Sequence, residues 1–329
     1  MIISKLFERF YNKILVNIVV NRTSSDVYIE VLSKSKVIEH VQKNFSTTTL
    51  DENILTFIQN YTKESPFSYV SLLNTSNEQG ALPSCDKRVI SKIIDLNNMQ
   101  YKCHEKKWAH YSSRADINNA EKIYKIIGLD YIFSPYSILA NFFKEKISSP
   151  STMFILVHDN HISLAIYDNS ELLFAECLDM QREEKEEEKT QSQDIVEEND
   201  STLNDQEYVN ILDDIDDIDE FGDVEDLDSM QENLYKEQEE TTLIRSNDNK
   251  KDFDEDYQRF LLIHSSLGHY YSDEKYDSQF IESVYIADSI GVGDDLSRYL
   301  EEEMFLNVYI RKIDLGYEIA QLVKMELSV

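Results

Sequence analysis

Two stretches of the chain show the same alternation of apolar segments and polar turns. In the first, Lys13 to Phe45, the segments KILVNIVV, DVYIEVLS and KVIEHVQKNF are separated by NRTSS and KS. In the second, Met153 to Met180, the segments MFILVHD, ISLAIYD and ELLFAECLDM are separated by NH and NS. Short apolar runs bounded by polar turn residues are typical of antiparallel strands. The pattern therefore predicts two β-meanders of three strands each.

Alternating helix and strand patterns follow each predicted meander. After the first come a helix over Leu50 to Tyr61, the strand SYVSLLN, the helical stretch INNAEKIYKIIG, the strand LDYIFS and a helix that Pro135 opens. After the second come a helix over Asp254 to Tyr271, the strand SVYIADS, a helix from about Asp294 to Met304, the strand NVYIRKID and the helix GYEIAQLVKME. This α/β order predicts two βββαβαβα halves, as in the actin-like (ribonuclease H-like duplicated) fold.

These patterns divide the 329-residue chain, which is long enough for two buried cores. The predicted parts are an N-terminal amphipathic extension (1–13), a first half (14–150) with a small inserted subdomain (78–114), a second half (151–182 and 252–329) and an acidic low-complexity insertion (183–251). The longest apolar runs, such as ILVNIVV, fall far short of the roughly 20 residues that cross a bilayer. We therefore expect a cytoplasmic protein without a transmembrane segment.

Most of the acidity lies in the insertion. Of the net charge of −31, residues 183–240 carry −22, from 25 Asp or Glu against three Lys. This composition predicts disorder and argues against direct binding of nucleic acid. The segment is interpreted either as a solvated, tolerated loop or as a docking segment that orders in a basic, apolar groove of a partner. The docking interpretation uses apolar residues spaced among the carboxylates: Leu212, Ile215, Ile218, Phe221 and Leu227.

Four stretches carry a resemblance to a known family: DVYIEVLSKSKVIEHVQKNF, PFSYVSLLN, GLDYIFSPYSILANFF and VYIADSIGVGDDLSRYLEEEMFLNVYI. Nearly the whole chain outside the insertion thereby resembles the actin-like proteins of type IV pilus assembly (PilM-like) and the cytoplasmic domain of the type II secretion L protein. The resemblance implies a cytoplasmic scaffold that links inner-membrane assembly proteins to a motor ATPase, in pilus biogenesis, protein secretion or DNA uptake (transformation).

The resemblance also locates three turns that contact the nucleotide in actin-like ATPases. In those ATPases the first turn of each half holds the phosphates with backbone N–H groups, and an aspartate in each turn positions the metal or its water. These turns are NRTSS and DNH here. A glycine-rich turn of the second half cups the adenosine, and here it is DSIGVGDD. The candidate nucleotide-binding residues are Asn21, Arg22, Thr23, Ser24, Ser25, Asp159, Asn160, Gly291 and Gly293.

Departures from the family pattern affect this inferred site. Neither phosphate turn contains a glycine, which would let the backbone approach a phosphate closely, and Asn21 stands where an acidic residue is implied. Hydrolysis is therefore not expected. Binding of ATP and magnesium stays open, because the first turn offers three hydroxyls and the charge of Arg22, and the alternative is an ordinary polar hairpin turn. For Gly291 and Gly293 the alternative is a strand-to-helix turn with Asp294 as the N-cap.

The inserted subdomain is a candidate partner-binding region, because the corresponding region often carries partner contacts in the related family. It contains the locally basic stretch CDKRVISKIIDLNNMQYKCHEKKWAHYSSR. Trp and Tyr are common interface anchors, and the candidate interaction residues are Lys106, Lys107, Trp108 and Tyr111. In an alternative interpretation Trp108 belongs to the core of a small sheet.

The N-terminal stretch MIISKLFERFYNK places apolar residues on one helical face: Ile2, Ile3, Leu6, Phe7 and Phe10. It is interpreted either as a helix that lies on a membrane surface or in a partner groove, or as a helix that packs against the body of the protein.

Cysteine and histidine positions predict neither a disulfide nor a metal site. The chain has three cysteines at unrelated spacings: Cys85, Cys103 and Cys177. In a cytoplasmic protein this predicts three reduced thiols. His158 and His161 fall in a predicted two-residue turn without a third ligand and are interpreted as turn residues. His104 and His110 are likewise too sparse for a zinc site.

Three functional hypotheses follow. The leading one is a non-catalytic scaffold in the cytoplasm, attached to an inner-membrane machine through a partner. The second is an ATP-dependent enzyme or switch of the same machinery, and the third is a regulator that acts through the acidic segment alone.

Overall fold

A computed structural model describes residues 11–180, 245–273, 275–276 and 278–328, with side chains of the helix that begins at Arg245 described from Glu255 onward. The N-terminal residues up to 10 and the insertion residues 181–244, which include the five apolar docking candidates, lie outside the described residues. The sheets described below belong to one compact unit, to which both sides of the insertion contribute.

The described residues form thirteen strands and seven α-helices. The strands are β1 (Lys13–Val20), β2 (Ser25–Ser33), β3 (Lys36–Phe45), β4 (Ser68–Leu73), β5 (Gln79–Leu82), β6 (Met99–His104), β7 (Trp108–Ser113), β8 (Leu129–Phe133), β9 (Thr152–Val157), β10 (His161–Asp168), β11 (Glu171–Asp179), β12 (Ser283–Asp288) and β13 (Asn307–Lys312). The helices are α1 (Glu52–Thr62), α2 (Lys87–Ile93), α3 (Arg114–Ile123), α4 (Pro135–Phe142), α5 (Arg245–Ser272), α6 (Asp294–Glu302) and α7 (Leu315–Leu327), with a 3-10 helix at Tyr124–Ile127. No helix among them has the length and apolar run that a bilayer crossing requires.

Two five-stranded sheets share one strand order. The first sheet runs β3-β2-β1-β4-β8, and the second runs β11-β10-β9-β12-β13. In each, the meander strands pair antiparallel and the other two strands join in parallel. Two meanders, each extended by two parallel strands, make the actin-like duplicated fold, so the predicted fold class is confirmed.

The central strands of each sheet are covered on both faces, which is why β1 and β9 read as nearly continuous apolar runs. On the outer face of the first sheet, Ile14, Val16 and Ile18 pack in a cluster with residues of α1. The outer face of the second sheet is covered by apolar residues of α5 and α6. The two halves therefore contact each other through the inner faces of the two sheets.

The last helix of each half packs against the other half. Helix α4 contacts β9 and β10, and α7 contacts β1, β2 and β4. One cluster of buried side chains consequently contains residues of both sheets and both helices, including Leu15, Tyr28, Leu139, Phe154, Tyr167 and Ile319. A buried ion pair adds to this contact, since Lys324 Nζ of α7 lies 2.6 Å from Glu30 Oε2 of β2, whose side chain is 2% exposed. The two halves thus share one core.

The inserted segment folds into a small sheet of order β5-β7-β6, with α2 packed beside it. A disulfide joins Cys85, just before α2, to Cys103 in β6, with a Cα–Cα separation of 5.6 Å. The prediction of three reduced thiols is therefore wrong for this pair, while Cys177 is a free thiol. The spacing of the two cysteines in the sequence did not predict the disulfide, because the chain reverses between them and brings distant positions together.

Candidate functional site

The first turns of the two halves meet directly. The backbone N–H of Arg22, after β1, donates to Asp159 Oδ2 at 2.7 Å, after β9. The guanidinium Nη2 of Arg22 donates to the backbone carbonyl of Asp159 at 3.0 Å. The two turns inferred to hold phosphates therefore bind each other, and the carboxylate of Asp159 is occupied by a protein N–H group.

Helix α5 extends this contact with three charged side chains. Glu255 Oε1 lies 3.5 Å from Arg22 Nη1, and Glu255 Oε2 lies 2.6 Å from Arg259 Nη2. Arg259 Nη1 lies 2.6 Å from Asp256 Oδ1, and these two side chains are 6% and 2% exposed. We call Arg22, Asp159, Glu255, Asp256 and Arg259 the cleft network. Three carboxylates face two guanidinium groups, so the network has no surplus of positive charge for a phosphate.

The cleft network reaches the glycine turn through Asp256. Its carboxylate accepts hydrogen bonds from the backbone N–H groups of Gly293 and Leu296, at the beginning of α6. Burial raises the pKa of the Asp256 carboxyl, while Arg259 and the backbone donors oppose that rise. A Cβ at Gly293 would lie 2.7 Å from Asp256 Oδ2, so a side chain at this position would have to displace a protein carboxylate. The N-cap of α6 is Gly293 and not Asp294, which corrects that alternative.

A second carboxylate accepts hydrogen bonds from the other backbone N–H groups of the glycine turn. Asp288 Oδ1, at the end of β12, accepts from the N–H groups of Ile290, Gly291 and Val292 at 3.1, 2.7 and 3.1 Å. Gly291 has φ +85°, a conformation that side chains with a Cβ rarely adopt. The backbone N–H groups from 290 to 293 thus all bind carboxylates of the protein.

The other residues of the first turn do not converge on the cleft. Asn21 Nδ2 donates to Asp26 Oδ2 at 2.8 Å and to Ser24 Oγ at 3.2 Å. Ser25 is the first residue of β2, is buried, and donates to the carbonyl of Thr47 at 2.7 Å. Thr23 is exposed, and no contact places its hydroxyl near Asp159. The turn is organised as a polar hairpin turn, with Arg22 alone directed at the other half.

The second turn is flanked by two buried histidines. His158 and His161 are 1% and 0% exposed, and their ring centroids lie 5.0 Å apart. Burial lowers the pKa of His158 to about 4 and that of His161 to about 3. Both rings are therefore neutral at pH 7 and supply no charge to a phosphate. Between them, Asn160 donates its N–H to His158 Nδ1 at 3.4 Å and accepts from the N–H of Met180 at 3.1 Å.

A cavity of about 250 Å³ lies beside the first turn, between β1, β2 and the beginning of α7. Its lining includes the carboxylates of Asp26 and Asp314 and no Lys or Arg. Within the described part of the chain, no group of three His, Cys, Asp or Glu side chains is arranged to hold a metal ion. Two unneutralised carboxylates disfavour a phosphate there by like-charge repulsion.

Sequence reasoning found part of this arrangement. It selected Arg22, Asp159 and Gly293, which the structure connects through the cleft network, but it missed Glu255, Asp256 and Arg259. The signal was present as acid–arginine pairs at i,i+3 and i,i+4 spacing in DEDYQRF. Such pairs usually lie on solvated helix faces, and only burial against the other half distinguishes these.

The predicted interaction residues of the small subdomain divide into exposed and buried groups. Lys106 and Lys107 are exposed in the turn between β6 and β7. Trp108 is 7% exposed and stacks on His104 at a centroid distance of 4.1 Å, which supports the interpretation as core. Tyr111 is half-buried and covers Gly80, where a Cβ would lie 2.5 Å from its hydroxyl. Trp108 is therefore not available at the surface, and Tyr111 is available only in part.

A groove does occur nearby, between two strand edges. Strand β8 is an edge of the first sheet and β6 is an edge of the small sheet. Both line a cavity of about 210 Å³ with Tyr101 and Tyr131 among its walls and Asp130 beside them. Edge strands present backbone N–H and C=O groups that an added strand can pair with.

Comparisons with known proteins add family and fold relationships. The family "Domain of unknown function (DUF8569)" matches residues 10–140, and "Domain of unknown function (DUF8341)" matches residues 153–328. The search of curated proteins found no match.

Several solved structures are similar at very low sequence identity. A Bacteroides thetaiotaomicron protein with actin-like ATPase fold and unknown function is 11% identical, with 91% of each chain covered and a TM-score of 0.44. The PilM-PilN type IV pilus biogenesis complex matches at 10% identity, with 90% of this chain and 88% of that chain covered and a TM-score of 0.48. Ethanolamine utilization protein EutJ from Carboxydothermus hydrogenoformans is 8% identical, with 93% and 89% covered and a TM-score of 0.37. At such identities and scores, no activity transfers to this chain.

Proposed function

The chain belongs to the DUF8341 family, whose model matches more than half of it, and we propose that it is a non-catalytic actin-like scaffold of a pilus, secretion or DNA-uptake machine. The observation that carries the non-catalytic part is the contact between Arg22 and Asp159. In this contact the two turns that would bind the phosphates of a nucleotide bind each other instead.

The charges in the cleft support the same proposal. The cleft network carries one more negative than positive group, and the adjacent cavity adds Asp26 and Asp314. The N–H donors of the glycine turn already bind Asp256 and Asp288. A nucleotide would have to displace these intramolecular partners and then place its phosphates among carboxylates.

The scaffold role rests on the sequence resemblance to pilus-assembly actins, together with the groove between β8 and β6. The proposed partner is an inner-membrane assembly protein that adds an extended segment along these edges, and the proposed location is the cytoplasmic face of the inner membrane. A motor ATPase is the second proposed partner. The acidic insertion disfavours direct contact with nucleic acid.

Thermal unfolding with and without ATP and magnesium tests the non-catalytic assignment. We expect no stabilisation of the full chain, whereas a nucleotide bound at 100 times its dissociation constant would add about 2.7 kcal/mol. We also expect Arg22→Ala to destabilise by about 2 kcal/mol, because it removes charge-assisted bonds between the halves. Arg298→Ala is the matched control, since Arg298 forms an exposed pair with Asp295. A clear shift with ATP and magnesium, or release of phosphate, would favour the nucleotide switch instead.

Affinity capture from native cells tests the scaffold assignment. The full chain should recover an inner-membrane assembly protein, and Tyr101→Ala in the groove should lose it. Tyr309→Ala is the matched control, because Tyr309 lies on the exposed edge strand β13 of the second sheet. Equal recovery with all three proteins would remove the groove from the proposal, and recovery of no membrane assembly protein would remove the scaffold role.

A further inference from the structure

A third cavity, of about 410 Å³, lies where the small subdomain meets both halves. Its walls come from the β6–β7 hairpin, from β8 and α4 of the first half, and from β10 and α7 of the second half. Its volume lies within the range of about 300–1,000 Å³ that is usual for small-molecule sites. It is separate from the cleft network, whose five residues are absent from its lining.

The floor of this cavity is polar and its walls are apolar. His104 Nε2 and His110 Nδ1 lie 2.6 Å apart, and Ser137 Oγ lies 3.3 and 3.4 Å from them. Burial lowers the pKa of His104 to about 4 and that of His110 to about 3, so the floor is uncharged at pH 7. Apolar and aromatic residues complete the walls: Trp108, Ile132, Phe133, Ile147, Tyr167 and Leu322.

Charge at the mouth favours a single negative group. Lys102 lies 2.5 Å from Glu326, and Lys107 lies 3.9 Å from Glu105. Lys144 is the fifth charged residue of the lining, and it forms no ion pair within 4 Å with the described residues. Three lysines against two glutamates leave a surplus of one positive charge, which is unusual in a chain of net charge −31.

We propose that this cavity binds a small amphipathic carboxylate, with its carboxylate at Lys144 and its apolar body between Trp108 and the wall of α7. A monoanion matches the surplus charge, and an apolar body matches the enclosed walls. An extended peptide fits less well, because the strand edges that pair with a peptide line the neighbouring groove. The ligand would contact the small subdomain and both halves at once and would hold them in one arrangement.

The chain provides its own reporter, because Trp108 is its single tryptophan and lines the cavity. Titration of the full chain with decanoate, followed by Trp108 fluorescence, should give a saturable one-to-one response. Decanol, which lacks the charge, should bind about tenfold more weakly. Lys144→Met should weaken decanoate binding about tenfold and leave decanol binding unchanged.

Two further variants keep the test decisive. Lys146→Met is the matched control, because Lys146 is exposed on the same connection and does not line the cavity. Ala140→Leu should fill the cavity and abolish binding of both probes. If this variant fails to fold, the exposed Lys144 still provides the test. A non-saturable response to decanoate, or equal weakening by Lys144→Met and Lys146→Met, would overturn the proposal.

Discussion

Acid should destabilise the fold through the buried pair His158 and His161, on either side of the second turn. Burial is the largest cause of the low pKa of both rings, about 4 for His158 and about 3 for His161, and His158 lowers the pKa of His161 further. The ordinary pKa is 6.5. Between pH 6.5 and the lower pKa values of the folded rings, the unfolded chain binds more protons than the folded chain. Stability is therefore fully present above pH 6.5 and is lost as the pH falls toward 4.

The magnitude follows from the distance between the working pH and the ordinary pKa. At pH 5 an unfolded histidine is 1.5 pH units below its pKa of about 6.5, and each unit corresponds to about 1.4 kcal/mol. The folded rings bind almost no proton at that pH. Each histidine then costs about 2 kcal/mol of unfolding free energy between pH 7 and pH 5, and the pair costs about 4 kcal/mol.

Urea unfolding at pH 7 and pH 5 measures this loss. Because many carboxylates also titrate, the informative quantity is the difference between variants in the pH-dependent loss. We expect His161→Gln to lose about 2 kcal/mol less than the natural protein between the two pH values. His264→Gln, an exposed histidine of α5, should lose as much as the natural protein. Equal losses in His161→Gln and the natural protein would show that His161 is not held neutral by burial.

Two other contacts have predictable contributions to stability. Reduction of the Cys85–Cys103 bond should lower the unfolding free energy by about 3 kcal/mol, the cost of freeing a loop of this size, and thermal unfolding with and without reductant measures it. Cys103→Ser should make the protein insensitive to reductant. Lys324→Met should cost about 3–5 kcal/mol in urea unfolding, because it leaves the carboxylate of Glu30 buried without its partner, and a loss below 1 kcal/mol would contradict that account.

The fold could be predicted because its signals are local. The strands of each meander are short apolar runs, and their turns are short polar segments such as NRTSS, KS and NH. The helix at Pro135 begins where proline fixes a compatible backbone angle, and Ser134 accepts from the N–H of Tyr136 as its cap. These features act within a few residues. Their repetition in the two halves then indicated the duplication.

The site could be predicted only as a set of turns. That Arg22 binds Asp159 depends on how the two halves approach, and no local pattern indicates a contact between residues that are 137 positions apart in the sequence. The pair His104 and His110 was missed for a related reason. Strand pairing places His110 opposite Lys102 and His104 opposite Trp108, so the two imidazoles are diagonal neighbours on one face of the hairpin. The pairing is evident only after the tight turn at Glu105 and Lys106 is located.

The last helix of each half packs on the other half, and this packing bears on whether the cleft works as a nucleotide switch. Such a switch needs two arrangements of the halves that differ by only a few kcal/mol, so that a ligand can select one. Here α4 packs on the second sheet and α7 packs on the first, in a single buried cluster that both sheets complete. Separating the halves would expose that cluster, break the pair of Lys324 with Glu30, and disrupt the cleft network. The shared core alone therefore favours the arrangement in which the two halves are packed together, without a ligand.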